Sequence, residues 1–332
     1  MSSGFDRPEF MVIDNIGKIM YVMNRDSFTI SRIPMKKPSK AIYSWASYVS
    51  AGVNTNNRMV IDNSGTYIYV ANPDEDSVSR IPTANPSDAN HSWVTINDSP
   101  RSIIIDRAGT YIYVMNNLGV ISQIPVANPE NIVPEWATIE DGERMFIDKS
   151  GTYMYVLIDS SRSIIQIPIA NPSAKINPWT IVENYAQHLV IDKDEKYMYV
   201  LNNTGIISRV LIANPSDTIK VWLNPNAEIS ELIMKKSGSS IYAVGYNNAS
   251  LKIFRIPISN PNKINKSWAS IEDSTGQLII GPGGKNLFTS STTLNAISRI
   301  PFLSPRNVIK RWAGVIPSQY SLSNMLKTHY RF

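Results

Sequence analysis

Three arginines, a histidine, a glutamate and a glutamine recur along this chain at intervals of 43 to 46 residues: Arg58, Arg101, Arg144, His188, Glu231 and Gln277. Each opens an apolar run of one kind, as in Arg58-Met-Val-Ile-Asp62, and Phe10 opens the same run nearest the N-terminus. Residues that open equivalent elements stand around one rim if the units close into a ring. The arginines and the histidine then form a positive arc, whose guanidinium forks suit a carboxylate, a phosphate or an acidic surface loop. The competing expectation is that they pair internally with acids such as Glu143 or Asp98. Ion pairs within repeats are common and many contribute little.

Arg144, His188 and Glu231 are also the one combination in the series with residue types suited to hydrolysis. No catalytic residue is assigned beyond that. The histidines His91, His188 and His329 occupy unrelated repeat positions, so a three-histidine metal site is not expected. With no cysteine there is no thiolate ligand or thiol nucleophile. Neither a Gly-x-Ser-x-Gly elbow nor a phosphate-binding glycine loop occurs. No cofactor and no metal are expected.

Two further series accompany the first. Asp14, Asp62, Asp106, Asp148 and Asp192 end the same apolar run, with Lys235 and Gly281 in the other two copies. Calcium needs six to eight converging oxygens, whereas this spacing offers one carboxylate per unit just before a turn glycine. Capping of its own turn is the preferred role for each aspartate. Arg32, Arg80, Arg209, Arg255 and Arg299, with Gln123 and Gln166, recur farther along each unit. Their recurrence indicates a role in the fold, expected as hydrogen bonds to a neighbouring unit or connection.

The elements that must position these residues are marked by tryptophan. Trp45, Trp93, Trp136, Trp179, Trp222, Trp268 and Trp312 are 43 to 48 residues apart, which means one supersecondary unit repeated seven times. Each unit holds four short runs rich in Val, Ile, Tyr and Trp, bounded by Gly, Pro, Asn, Asp or Ser, the pattern of strands joined by turns. One four-stranded sheet cannot cover both its faces alone, but seven arranged radially cover each other and leave no long free edge. The expected fold is all-β: a seven-bladed β-propeller with four antiparallel strands per blade. The blades span about 10–57, 58–100, 101–143, 144–187, 188–230, 231–276 and 277–316, each as one continuous stretch. Residues 1–9 form an N-terminal arm. The tail 317–332 carries Tyr320, Leu322, Met325, Leu326, Tyr330 and Phe332, and is expected to lie across the closing seam or to dock on a partner. The tryptophans are expected to pack between blades.

Tyr21-Val-Met-Asn24, Tyr69-Val-Ala-Asn72, Tyr113-Val-Met-Asn116 and Tyr199-Val-Leu-Asn202 each end a strand, the first three after a glycine turn. In this the chain resembles the YVTN-type repeat of bacterial propellers. Tyr242-Ala-Val-Gly245 and Phe288-Thr-Ser-Ser291 depart from the pattern, and the recurring Ile-Pro-x-Ala-Asn-Pro segment is foreign to it. The resemblance implies a propeller. Some seven-bladed propellers of this kind are lactonases, but propellers host many unrelated activities.

The chain has 332 residues, 43% of them hydrophobic, and a net charge of +5. Its basic residues are scattered; Lys36-Lys37 and Arg306 to Arg311 are too short for a nucleic-acid stripe, so nucleic acid is not the expected partner. No apolar run is long enough to span a bilayer. The segment Met1 to Glu9 lacks the apolar core of a secretory signal, so a cytoplasmic or virion-associated location is expected. Regular repeats with few catalytic residue types point to a non-enzymatic binding or structural scaffold propeller. It would engage a protein or glycan through one face, as a component of a phage particle or similar assembly. The alternative is a lactonase-like hydrolase working at the rim. Insertions at Ser50 to Asn57 and Tyr246 to Ser250 are expected on the functional face.

Overall fold

A computed structural model describes residues 4–49, 58–158, 161–248, 250–271 and 277–314. They form the seven-bladed propeller expected from the tryptophan spacing, with seven separate four-stranded sheets and every pairing antiparallel. Each sheet takes its four strands in sequence order, in the segments 8–47, 59–95, 100–138, 142–181, 186–223, 229–270 and 278–314, here blades 1 to 7. The innermost strands are Pro8–Ile13, Met59–Ile61, Pro100–Ile105, Gly142–Ile147, Ala186–Ile191, Ile229–Met234 and Leu278–Ile280. The described residues contain no α-helix, only one-turn 3-10 segments such as Pro86–Asp88. The tail 317–332 and the insertion 50–57 lie outside the described residues, as do residues 1–3 of the arm and position 249 of the second insertion.

Seven apolar clusters hold the ring together, each shared by two consecutive blades. In one, Tyr113, Met115 and Trp136 of blade 3 meet Met145, Met154 and Val156 of blade 4. The period-2 alternation of each strand makes this work, since both faces of every sheet are apolar and both are covered. A tyrosine or phenylalanine of the second strand packs on its own blade's tryptophan in all seven blades. The ring centroids are 4.6 to 5.1 Å apart and the planes tilt by 50° to 60°. Such tilted pairs add roughly 0.5–1.5 kcal/mol beyond the area they bury.

The seam between blades 7 and 1 has the same construction plus a contribution from the N-terminal arm. Phe5 is buried there with Met11, Met20, Phe288 and Trp312, edge-on to Tyr43. The Arg7 N–H donates to Asn295 Oδ1 at 2.8 Å, and the Gly314 N–H to the Tyr43 hydroxyl at 3.3 Å.

The turn aspartates cap as their sequence context suggests. Asp14, Asp62, Asp106, Asp148 and Asp192 each accept a backbone N–H four residues on, at 2.6 to 2.8 Å. Gly65, at φ +72°, closes one such turn in the left-handed region that a Cβ disfavours. The residue after each of the first four aspartates reaches sideways. Asn15 donates to the Asn63 carbonyl, Asn63 to Arg107, Arg107 to Lys149 and Lys149 to Asp192, linking five successive blades on one face.

The third polar series corrects an expectation. Its members pair within their own blade, directly across from the tyrosine that packs on the tryptophan. Gln123 and Gln166 donate to the hydroxyls of Tyr113 and Tyr155 at 3.0 and 3.2 Å. Arg80 and Arg209 instead lie over the Tyr67 and Tyr197 rings, each at 4.7 Å. Register explains this: a position fixed relative to the second strand finds its nearest polar partner there, before any neighbouring blade.

Candidate functional site

Because consecutive strands are antiparallel, the loops of every blade alternate between two faces. The connection face carries the blade-to-blade connections and the loops between second and third strands. The turn face carries the aspartate turns and the Asn-Pro loops between third and fourth strands. The polar rim lies where the innermost strands start, on the connection face.

Strand register identifies which residues are equivalent. Met11, Met59, Ile103, Met145, Leu189, Leu232 and Leu278 face equivalent partners on the second strands. The residues before them are Phe10, Arg58, Ser102, Arg144, His188, Glu231 and Gln277. Arg101 is therefore displaced by one position, and Ser102 takes the expected place. Arg101 is the extra residue of a β-bulge, because the pairing steps from Pro100 opposite Asn116 to Ser102 opposite Met115. Arg101 stands instead with Glu9, Glu143, Gln187 and Ser230. Its guanidinium donates to the Gly142 carbonyl and lies 3.5 Å from Glu143 of the next blade.

The true series braces one blade against the next. Glu231 Oε2 accepts the Leu278 N–H at 2.7 Å, and Gln277 Oε1 accepts the Met11 N–H at 2.7 Å. Leu278 and Met11 are equivalent residues, so these are the same bond in consecutive blades. They satisfy N–H groups on innermost strands that have no fifth strand to pair with. Arg58 is 1% exposed and donates to the Ala71 carbonyl of its own blade at 3.3 Å. Burial lowers the pKa of its guanidinium. The positive arc is thus broken: Arg58 is buried and Arg101 is paired to the next blade.

Arg144, His188 and Glu231 do come together, on blades 4, 5 and 6. Burial pushes the Glu231 carboxyl up to about 8, against the pull of the Leu278 N–H and the Arg144 charge. Burial, and then the Arg144 charge, push His188 down to about 3, so its ring is neutral at physiological pH. The ring stands edge-on to Phe146 at 5.6 Å, and Nδ1 has no hydrogen-bond partner among the described residues. Beside the trio a cleft of about 620 Å³ is lined by Glu143, Arg144, Gln187, Asn203, Glu228 and Tyr246, among others. Tyr246, from the second insertion, is 46% exposed at its edge.

The two faces differ in charge, which the sequence order conceals. On the connection face Asp74, Glu75, Asp76, Asp98, Glu140 and Asp141 are all exposed, in a continuous sector of blades 2 and 3. On the turn face the repeat aspartates are turned into their own backbone, and the charged side chains left exposed are mostly lysines, alongside Asp88, Glu130, Asp194 and Asp217.

Trp93, Trp136, Trp179, Trp268 and Trp312 are buried, so they pack between blades and offer no stacking surface. Among the described residues no cluster of His, Asp or Glu could hold a metal ion, and no helix is long and apolar enough to cross a membrane.

No protein-family profile and no curated protein matches the chain in sequence. Solved structures do match, throughout the ring. The β-propeller domain of Myceliophteria thermophila Cps50 (Swd1) is 10% identical with a TM-score of 0.65, over 91% of this chain and 98% of that one. The WD40 propeller domain of Doa1 is 11% identical with a TM-score of 0.62, over 90% and 93%. A candidate 6-phosphogluconolactonase from Bacteroides fragilis is 17% identical with a TM-score of 0.60, over 95% and 97%. The chain is a β-propeller. At these identities the likeness is one of fold alone, shared by two propeller domains and a proposed enzyme.

Proposed function

We propose that this propeller is a non-enzymatic binding scaffold that engages a basic protein surface through its connection face, in a multicopy assembly such as a phage particle. The observation that carries this reading is the exposed acidic sector formed by Asp74, Glu75, Asp76, Asp98, Glu140 and Asp141. Elsewhere on the rim Glu231, Gln277 and Arg101 are committed to bracing. A protein is favoured over a glycan because the indoles that would stack on sugar rings are mostly buried. Charge complementarity of this kind steers association and makes it sensitive to salt. The test is anisotropy titration of a labelled decalysine peptide. Glu75→Lys with Glu140→Lys should weaken binding at least about tenfold. Unchanged binding would refute the reading.

A second reading, a lactonase-like hydrolase, is favoured by the grouping of Arg144, His188 and Glu231 beside the cleft. Arg144 would hold an anionic substituent and the protonated Glu231 would donate a proton to the leaving oxygen. It ranks second because a histidine pushed down to about 3 is a weak base for activating water at neutral pH. Turnover of a phosphorylated sugar δ-lactone by the wild type, lost in Glu231→Gln and Arg144→Ala, would reverse the order.

A further inference from the structure

The turn face carries its own charged sector. In blades 6, 7 and 1 the turn-face loops expose Lys236, Lys263, Lys285, Lys36, Lys37 and Lys40. The single acid in those loops is Asp14, whose carboxylate is bonded to the Lys18 and Ile19 N–H groups of its own turn. One end of the ring therefore presents a positive patch and the other, in blades 2 and 3, a negative one. Both are built from short loops of the same ring.

We propose that the basic partner of the connection face is the turn face of a second copy of this chain, so that rings stack head to tail. This rests on the connection-face binding reading and names its partner. A basic protein alone would use only the acidic sector, and a polyanion alone only the lysine sector. A second copy satisfies both patches at once. The two sectors lie over different blades, so each ring is rotated about the shared axis relative to the one below. Such a contact joins unlike surfaces and does not close on itself, which gives an open stack. The charges are exposed, so salt must weaken it: the screening length falls from about 20 Å at about 20 mM salt to about 4 Å at about 500 mM.

Sedimentation velocity tests this with two double variants, Glu75→Lys/Glu140→Lys on the connection face and Lys36→Glu/Lys37→Glu on the turn face. All four residues are exposed, and circular dichroism melts will show whether each variant keeps the wild-type fold. The wild type should form concentration-dependent multimers at about 20 mM salt and monomers at about 500 mM. Each variant alone should be monomeric at both. An equimolar mixture should associate again, because each copy retains one unaltered face and the two are complementary.

A monomeric wild type at low salt, or a mixture that stays monomeric, overturns the stack. If decalysine still binds the connection face in that case, the stack fails while the binding reading survives. If it does not, both fail. Tight binding of a DNA or heparin oligomer to the turn face of a protein that never self-associates would also overturn it, in favour of a polyanion.

Discussion

Glu231 of blade 6 holds the backbone N–H of Leu278 in blade 7 at 2.7 Å, and its carboxyl has a pKa pushed up to about 8 by burial. The folded state therefore keeps a proton that an unfolded chain, near 4.5, has already lost. The contribution of this group is fully present below about 4.5 and is lost as pH rises through about 8. Against Glu231→Gln, which keeps the acceptor without the titration, wild-type stability should fall by about 2 kcal/mol across that window, channel water screening the rest. Glu231→Ala should cost about 1–3 kcal/mol at all pH by orphaning the Leu278 N–H. Urea unfolding at a series of pH values measures both, and a flat difference between wild type and the Gln variant would contradict the first.

His188 acts in the opposite direction. Its folded value of about 3 lies below the ordinary 6.5, so its contribution is present above about 6.5 and is lost as pH falls toward 3. His188→Gln should remove that acid sensitivity, visible as a thermal midpoint that changes less between pH 7 and pH 4.

Tyr113 and Trp136 pack at 4.9 Å within one inter-blade cluster. Trp136→Ala should destabilise by about 3–5 kcal/mol, the range for large aromatics leaving a core. A double-mutant cycle with Tyr113→Leu should show a coupling of about 0.5–1.5 kcal/mol. Zero coupling would mean that the recurring pair only fills volume.

Blade 7 breaks the tyrosine series with Phe288, directly across from Arg299, whose buried Nε has no hydrogen-bond partner among the described residues. In blades 1 and 6 the equivalent arginines, Arg32 and Arg255, stand directly across from Tyr21 and Tyr242, whose hydroxyls Phe288 lacks. Phe288→Tyr should offer the Arg299 guanidinium an acceptor and raise stability by about 1 kcal/mol, read from the denaturation midpoint. A loss of stability would show that blade 7 has no room for the hydroxyl.

The architecture was readable because it is written once per unit: a tryptophan and a turn aspartate at a steady period report a repeated sheet, whatever each residue contacts. The site was readable only in part. Arg101 falls in line by residue type and spacing, yet it is the bulged residue before the series position, because blade 3 starts Pro100-Arg-Ser where blade 4 starts Gly142-Glu-Arg. A one-residue offset leaves the period almost unchanged and moves the side chain out of the series. Phe5 could not be recognised as part of the seam, since a lone aromatic in an arm has no periodic partner. The charge segregation was hidden because acidic and basic loops alternate along the chain and separate only when the antiparallel strands sort them to opposite faces.

The most direct measurement of the central claim is the salt dependence of decalysine binding to three proteins: the wild type, Glu75→Lys/Glu140→Lys and Lys36→Glu/Lys37→Glu. The predicted result is binding by the wild type and the turn-face variant that weakens steeply with salt, with the connection-face variant at least about tenfold weaker at low salt. Equal affinities for all three, or binding lost only in the turn-face variant, would contradict a connection face built for basic partners.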